Sequence, residues 1–149
     1  MNSVFVYGTL RPGQRYHKLI EAYVKHSVSA TLSGRLYHLP EGYPALVLAS
    51  DQSHGKRNGP VRGELLYFSE IAQVLPILDE LEDYYSPNDP RNLYERVNVS
   101  VVTVRGHSAS CMVYLFTPDK LPELERRAVH IPNGDWVQWI TANSRLIDP

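Results

Sequence analysis

Two long alternating runs, LYERVNVSVVTVRG (residues 93–106) and SASCMVYLF (108–116), almost adjoin in this chain. Side chains that alternate polar and apolar over this length fit strands with one buried face. A parallel return needs a crossover of a dozen or more residues, so a join around Arg105 to Ser108 predicts an antiparallel hairpin. Four further strand-like runs precede it: VFVY from Val4, SATLSGRLYHL from Ser29, YPALVLAS from Tyr43 and VRGELLYFS from Val61. The last two flank SDQSHGKRNGP (50–60), whose composition reads as one long exposed loop splitting strands, not domains.

Helical patterns are short. YHKLIEAYVKH (16–26) puts Leu19, Ile20, Tyr23 and Val24 on one face. In EIAQVLPILDELEDYY (70–85), Ser69 is a plausible N-cap, and Pro76 is costly in a helix interior. A short turn followed by a helix from near Leu75, with Pro76 at its first position, is therefore expected. KLPELERRA and DWVQWITAN, the latter capped by Asp135, complete the set. Roughly six strands, mostly adjacent in sequence, against four short helices predict one α+β domain over residues 1–149, a curled sheet or small mixed barrel flanked by helices. A doubly wound parallel fold lacks its βα alternation here.

Composition narrows the partners. With 149 residues the chain can bury a substantial core, and 43% hydrophobic with 21% charged residues are globular values. Fifteen basic against sixteen acidic side chains leave a net charge of -1, which gives no electrostatic reason to expect nucleic acid or an anionic membrane. Cys111 has no second cysteine to pair with, and no run approaches the ~20 apolar residues of a membrane span. Gly8 and Arg11 interrupt the first hydrophobic run, so it does not read as a secretion signal. The expectation is a cytoplasmic protein with a small-molecule partner.

YGTLRPGQ (7–14) is neither a phosphate loop nor a dinucleotide fingerprint, since its glycines have the wrong spacing. It reads as a strand end that turns sharply. In such a turn the N–H groups of Gly8, Thr9 and Leu10 can point outward together and hold an anion or a carbonyl oxygen. A simple exit turn, with Gly8 serving geometry alone, fits the same letters.

In LDELEDYY (78–85) four carboxylates crowd one helix end. Leu78 and Leu81, or Leu75 and Leu78, mark the core face, and Asp79 and Glu82 lie three apart on the adjoining strip, which places Glu82 at its edge. A carboxylate held there beside other acids and apolar walls resists ionisation, which suits a general acid/base near neutral pH. A solvated acidic face is the plainer reading, although four acids at a helix C-terminus oppose the macrodipole.

VFVYGTL, GYPAL (42–46), V-x-GELLYF (61–68), LDELED (78–83) and LYERV (93–97), taken in order, resemble the γ-glutamylcyclotransferase-like family. The resemblance spans most of residues 4–116. It implies a small mixed barrel with helices outside, a cavity floored by the Tyr-Gly-Thr-Leu turn, and a catalytic acid/base at the glutamate of L-D-x-x-E, here Glu82. YGTL with a continuous L-D-E-L-E is more similar to the bacterial and amine-directed branches than to the glutathione-specific ones. The implied reaction closes the α-amino group of a γ-glutamyl compound onto its own γ-carbonyl, giving 5-oxoproline and a free amine, with no cofactor or metal. By strand alternation Tyr7 and Tyr114 look inward and can add hydroxyl donors to that cavity. A catalytically silent barrel that binds an amino-acid-like ligand is the alternative.

Other residues point nowhere sharper. The six histidines show no metal-ligand spacing. Cys111 fits a small core residue, and Trp136 and Trp139, three apart, fit a helix that caps the barrel. HGKRNG (54–59) reads as a solvated loop. That loop and YYSPNDPRN (84–92) are expected to rim the cavity.

Overall fold

The computed structural model describes residues 1–49 and 58–143. Among these residues seven strands, Ser3–Val6 (β1), Val24–His38 (β2), Pro44–Leu48 (β3), Gly59–Phe68 (β4), Tyr94–Thr103 (β5), Ser108–Phe116 (β6) and Val129–His130 (β7), form one sheet, accompanied by three α-helices, Ile71–Leu81 (α1), Leu121–Arg127 (α2) and Trp136–Ala142 (α3). The circuit β2-β4-β1-β6-β5 closes on itself through a β5–β2 pairing, so five strands make a barrel. Only β1 and β6 run parallel among these pairs; the rest are antiparallel. The C-terminal end of β2 leaves the barrel and pairs with β3 and β7.

Burial follows the pleat. Phe5, Leu32, Val61, Leu65, Val101, Cys111 and Val113 come from all five barrel strands and from no helix, so they form the interior. Their alternates Val4, Val6, Leu66, Met112 and Phe116 face outward and are covered by Val74 and Leu78 of α1 and Leu121 and Leu124 of α2. Strand β1 is thus buried on both faces, which is why VFVY carries no polar alternation. Cys111 is a fully buried core residue whose thiol burial pushes up to about 11. Trp136 enters the interior from α3, and its Nε1 donates to His38 Nδ1 at 3.0 Å, so the capping helix is as expected. Asp135 caps α3 by accepting from the Gln138 amide at 3.0 Å.

Two helical expectations are corrected. Residues 16–26 are not a helix: His17–Leu19 and Glu21–Tyr23 are isolated 3-10 turns, and β2 already starts at Val24. Pairing of Val24 with Phe68 and of His26 with Tyr67 captures this segment for the sheet, leaving Ile20 buried and Leu19 44% exposed. In the second case α1 starts at Ile71, with Glu70 at its N-cap and Pro76 inside the helix. Pro76 forfeits one bond, but its ring lies on the exposed face while Val74, Leu78 and Leu81 hold the other against the barrel. Ser69 does not cap the helix; its hydroxyl donates to Tyr23 O at 3.5 Å. Most of the loop expected at 50–60 lies outside the described residues. Among the described residues no helix is long and apolar enough to cross a membrane.

Candidate active site

The turn that follows β1 is pinned through its carbonyls and its arginine. Gly8 O accepts from the Arg11 amide (3.1 Å), Thr9 O from the Tyr16 amide (2.9 Å) and Leu10 O from His17 Nδ1 (2.8 Å). Arg11 grips Glu64 of β4 with two bonds of 2.8 and 3.1 Å and reaches Asp135 at 3.1 Å. No backbone carbonyl among the described residues accepts from the amides of Gly8, Thr9 or Leu10. All three residues line one hollow of about 110 Å³. Gly8 is a glycine for a specific reason: a Cβ there would run into the ring of Pro44, the first residue of β3.

The other wall is the end of α1. Glu82 is its C-cap, and Asp83 follows with φ 52, the left-handed conformation that usually calls for glycine. The Tyr84 amide bonds back to Asp79 O (2.9 Å) and the Asp83 amide to Glu80 O (3.3 Å), a Schellman closure with aspartate in the glycine position. This sharp stop turns Glu82 into the hollow that the Gly8–Leu10 turn also lines. Burial first, and the neighbouring Asp83 charge second, push the Glu82 carboxyl up to about 8. A carboxyl with that value is part protonated and part ionised near neutral pH, so it can both take and give a proton.

Three tyrosines complete the walls. Tyr7 donates to Tyr114 O at 2.6 Å, Tyr94 to Pro44 O at 2.7 Å, and Tyr114 to Asp79 Oδ1 at 2.6 Å. All three are raised above the ordinary phenol value, chiefly by burial, and the Glu82 charge adds to the rise at Tyr7 and Tyr94. They remain neutral hydroxyl donors at physiological pH. Arg96 of β5 holds both oxygens of Asp79 at 2.8 Å and stacks over Tyr84, which fastens the end of α1 to the barrel wall.

Glu82, Tyr7, Gly8, Thr9, Leu10 and Tyr114 therefore all border one space. Tyr7 and Tyr114 do not share a face, however. Tyr7 packs with the interior residues, whereas Tyr114 lies in the layer under α1, because β6 presents Met112, Tyr114 and Phe116 outward and Cys111, Val113 and Leu115 inward. The hollow sits where the two layers meet at the barrel rim. Sequence reading did not single out Tyr94, Pro44 or the Asp79–Arg96 pair; each lies within a quoted motif, but their pairings join segments 17 to 50 residues apart. Of the expected rim segments, residues 50–57 are not described, and residues 84–92 contribute nothing to the lining, which resumes at Leu93. Asn92 folds that segment on itself, bonding the Tyr85 amide, Ser86 O and Glu95 at 2.7 to 2.8 Å.

A family model described as gamma-glutamyl cyclotransferase, AIG2-like, matches residues 4–138. The chain belongs to this family. A curated relative from Niallia circulans, gamma-L-glutamyl-butirosin B gamma-glutamyl cyclotransferase, is 39% identical over 101 residues, which cover 68% of this chain and 58% of that relative. Among solved structures, YkqA from Bacillus subtilis superimposes with a TM-score of 0.63 at 20% identity, covering 97% of this chain and 42% of that one, a likeness of fold. An AIG2-like protein from Mus musculus does so with a TM-score of 0.50 at 26% identity, covering 79% of this chain and 78% of that one. The closed barrel with its extra strands and short helices is thus the fold of the gamma-glutamyl cyclotransferases.

Proposed function

We propose that this chain cyclises γ-glutamyl compounds, with Glu82 as the acid/base. What carries the reading is one juxtaposition: the Glu82 carboxyl, pushed up to about 8, lines the same small hollow as the amides of Gly8, Thr9 and Leu10. The substrate brings its own nucleophile, so the protein has to fold it into a reactive conformer rather than recruit a second reactant. Ionised Glu82 takes a proton from the α-ammonium. The freed amine attacks the γ-carbonyl carbon, forming the five-membered ring, and the carbonyl oxygen gains negative charge. Protonated Glu82 then gives its proton to the departing nitrogen as the C–N bond breaks; the ring nitrogen sheds its second proton through the same carboxylate onto the released amine, so that 5-oxoproline and an ammonium result and Glu82 is ionised again. General acid/base help of this kind is worth roughly 10² to 10⁴ in rate.

The turn amides supply preorganised donors, either to that oxygen or to the substrate α-carboxylate. Each duty asks for the same N–H groups, directed into the hollow. The relative from Niallia circulans, named for a γ-glutamyl substrate, supports the substrate class. The test is incubation with a panel of γ-glutamyl amino acids, amines and peptides, reading 5-oxoproline by mass. Release from at least one compound is expected; intact substrate throughout, with binding retained, would leave the silent ligand-binding barrel instead.

A further inference from the structure

We propose that Arg15 selects among γ-glutamyl compounds, favouring those whose departing amine carries a carboxylate, an amino acid or short peptide rather than a plain amine. The proposal rests on the cyclotransfer reading for the direction in which the substrate lies. The Arg15 guanidinium stands 4.9 Å from the centre of the Tyr16 ring and 5.8 Å from that of Tyr43. Both rings line the hollow, and Tyr43 is 37% exposed, which puts this side of the hollow at solvent, as the exposed Asp83 does another. Two cation–π contacts hold the guanidinium at that edge, so less side-chain freedom is lost when it takes an anion.

The charges around the hollow divide in a way that suits such a ligand. The described lining includes the acids Glu82 and Asp83 and no lysine or arginine. Among the described residues Arg15 is in no ion pair, whereas Arg11, Arg91, Arg96 and Arg127 each are. The glutamyl α-ammonium therefore belongs near Glu82 and Asp83, and the reacting carbonyl near the turn. With the inner walls at Val6, Tyr7, Tyr94 and Tyr114 buried and the α-ammonium on the Asp83 side, the departing amine points toward the edge at Tyr16 and Tyr43. A carboxylate on that amine meets the planar fork of Arg15, which donates two parallel hydrogen bonds to it. A neutral amine gains nothing there.

γ-Glutamyl-alanine and γ-glutamyl-ethylamide differ only in that carboxylate and form the matched pair for the test. Wild-type kcat/KM is expected to favour the alanine compound about tenfold, the scale of one exposed charge-assisted contact. Arg15→Gln should erase the preference by raising KM for γ-glutamyl-alanine, with a change of less than about twofold on the ethylamide. Arg15→Lys, which keeps the charge but not the fork, should fall between. Equal handling of the two compounds by wild type, or an equal loss on both in Arg15→Gln, overturns the proposal while leaving cyclotransfer intact. Calorimetric titration of the same pair into Glu82→Gln separates the remaining case. A carboxylate preference in binding that depends on Arg15, with no 5-oxoproline from wild type, upholds Arg15 and sinks the reaction; no preference in binding sinks Arg15.

Discussion

Tyr114 donates its hydroxyl to Asp79 Oδ1 across 2.6 Å, and Arg96 holds the same carboxylate from the other side with both oxygens at 2.8 Å. Asp79 lies three residues before Glu82, so this clamp fixes the last turn of α1 and with it the direction of the acid that faces the hollow. Asp79→Ala should leave Arg96 without its partner in a site that is only a quarter exposed. A stability loss of about 1–2 kcal/mol is expected in chemical denaturation, discounted for solvent screening. Turnover should fall by roughly tenfold or more, as misplacement of a reacting group predicts. Tyr114→Phe, which removes one donor and keeps the ion pair, should cost about 1 kcal/mol and less activity. If Asp79→Ala lost stability but kept full kcat, the clamp would be structural only.

Glu82→Gln removes the ionisable group and keeps its shape. Release of 5-oxoproline should drop by at least about 10², the lower range for a lost acid/base. Thermal stability near neutral pH should hold or rise, because an acid that burial and Asp83 both disfavour is gone. The melting temperature and a single-turnover assay on the same preparation check both halves; wild-type turnover in the variant would remove Glu82 from the mechanism.

The raised Glu82 carboxyl also predicts how stability varies with pH. Its ordinary value is 4.5 and its folded value about 8. Between them the unfolded chain has lost that proton while the folded chain keeps it, so stability falls as pH rises. The slope is at most about 1.4 kcal/mol per pH unit, with the full contribution present below the lower value and none above the upper. Urea titrations from pH 5 to 9 should show this decline in wild type and a flatter profile in Glu82→Gln.

Asp83 offers a finer control. Asp83→Asn deletes the second cause of the Glu82 shift, and asparagine tolerates the left-handed conformation that φ 52 demands. The pH at which the kcat/KM profile bends should move down, toward the ordinary carboxylate range, with the fold unchanged. An unmoved bend would mean that burial alone tunes the acid, or that another group reports the profile.

Much of the frame is legible in the letters, and the reasons are local. The β5–β6 hairpin stands out because a period of two needs no knowledge of partners, and β3 and β4 because each is a short apolar-rich run bounded by turn residues. Residues 16–26 mislead for the opposite reason: their helical spacing is real, but β4 extends to Phe68 and pulls Val24 to Ser27 into the ladder. Pro76 misleads because its cost depends on which face is exposed, a tertiary fact. The candidate acid is legible, since Leu78 and Leu81 place Glu82 at a core edge. The device that turns it is not, because the Schellman closure uses Asp83 where glycine is the usual sign. Nor is the split of Tyr7 and Tyr114 between two layers, which needs the parallel β1–β6 pairing to be known.

Gly8 and Pro44 make the sharpest test of the turn. A methyl group at residue 8 would strike the Pro44 ring, and Pro44 O in turn holds the Tyr94 hydroxyl at 2.7 Å. Gly8→Ala should therefore force the turn and β3 apart, with about 1–3 kcal/mol lost to overpacking and activity lost with it, since the amides and Tyr94 both shift. Pro44→Ala removes the ring carbons that the new methyl meets, while its carbonyl stays available to Tyr94. The double variant should recover a large part of the stability lost in Gly8→Ala, giving a coupling energy of about 1 kcal/mol or more between the two sites. Recovery of 5-oxoproline release together with stability would tie the glycine to this packing contact. Restored stability with activity still absent would instead mean that the ligand itself needs the bare backbone at Gly8, as the exit-turn reading does not require.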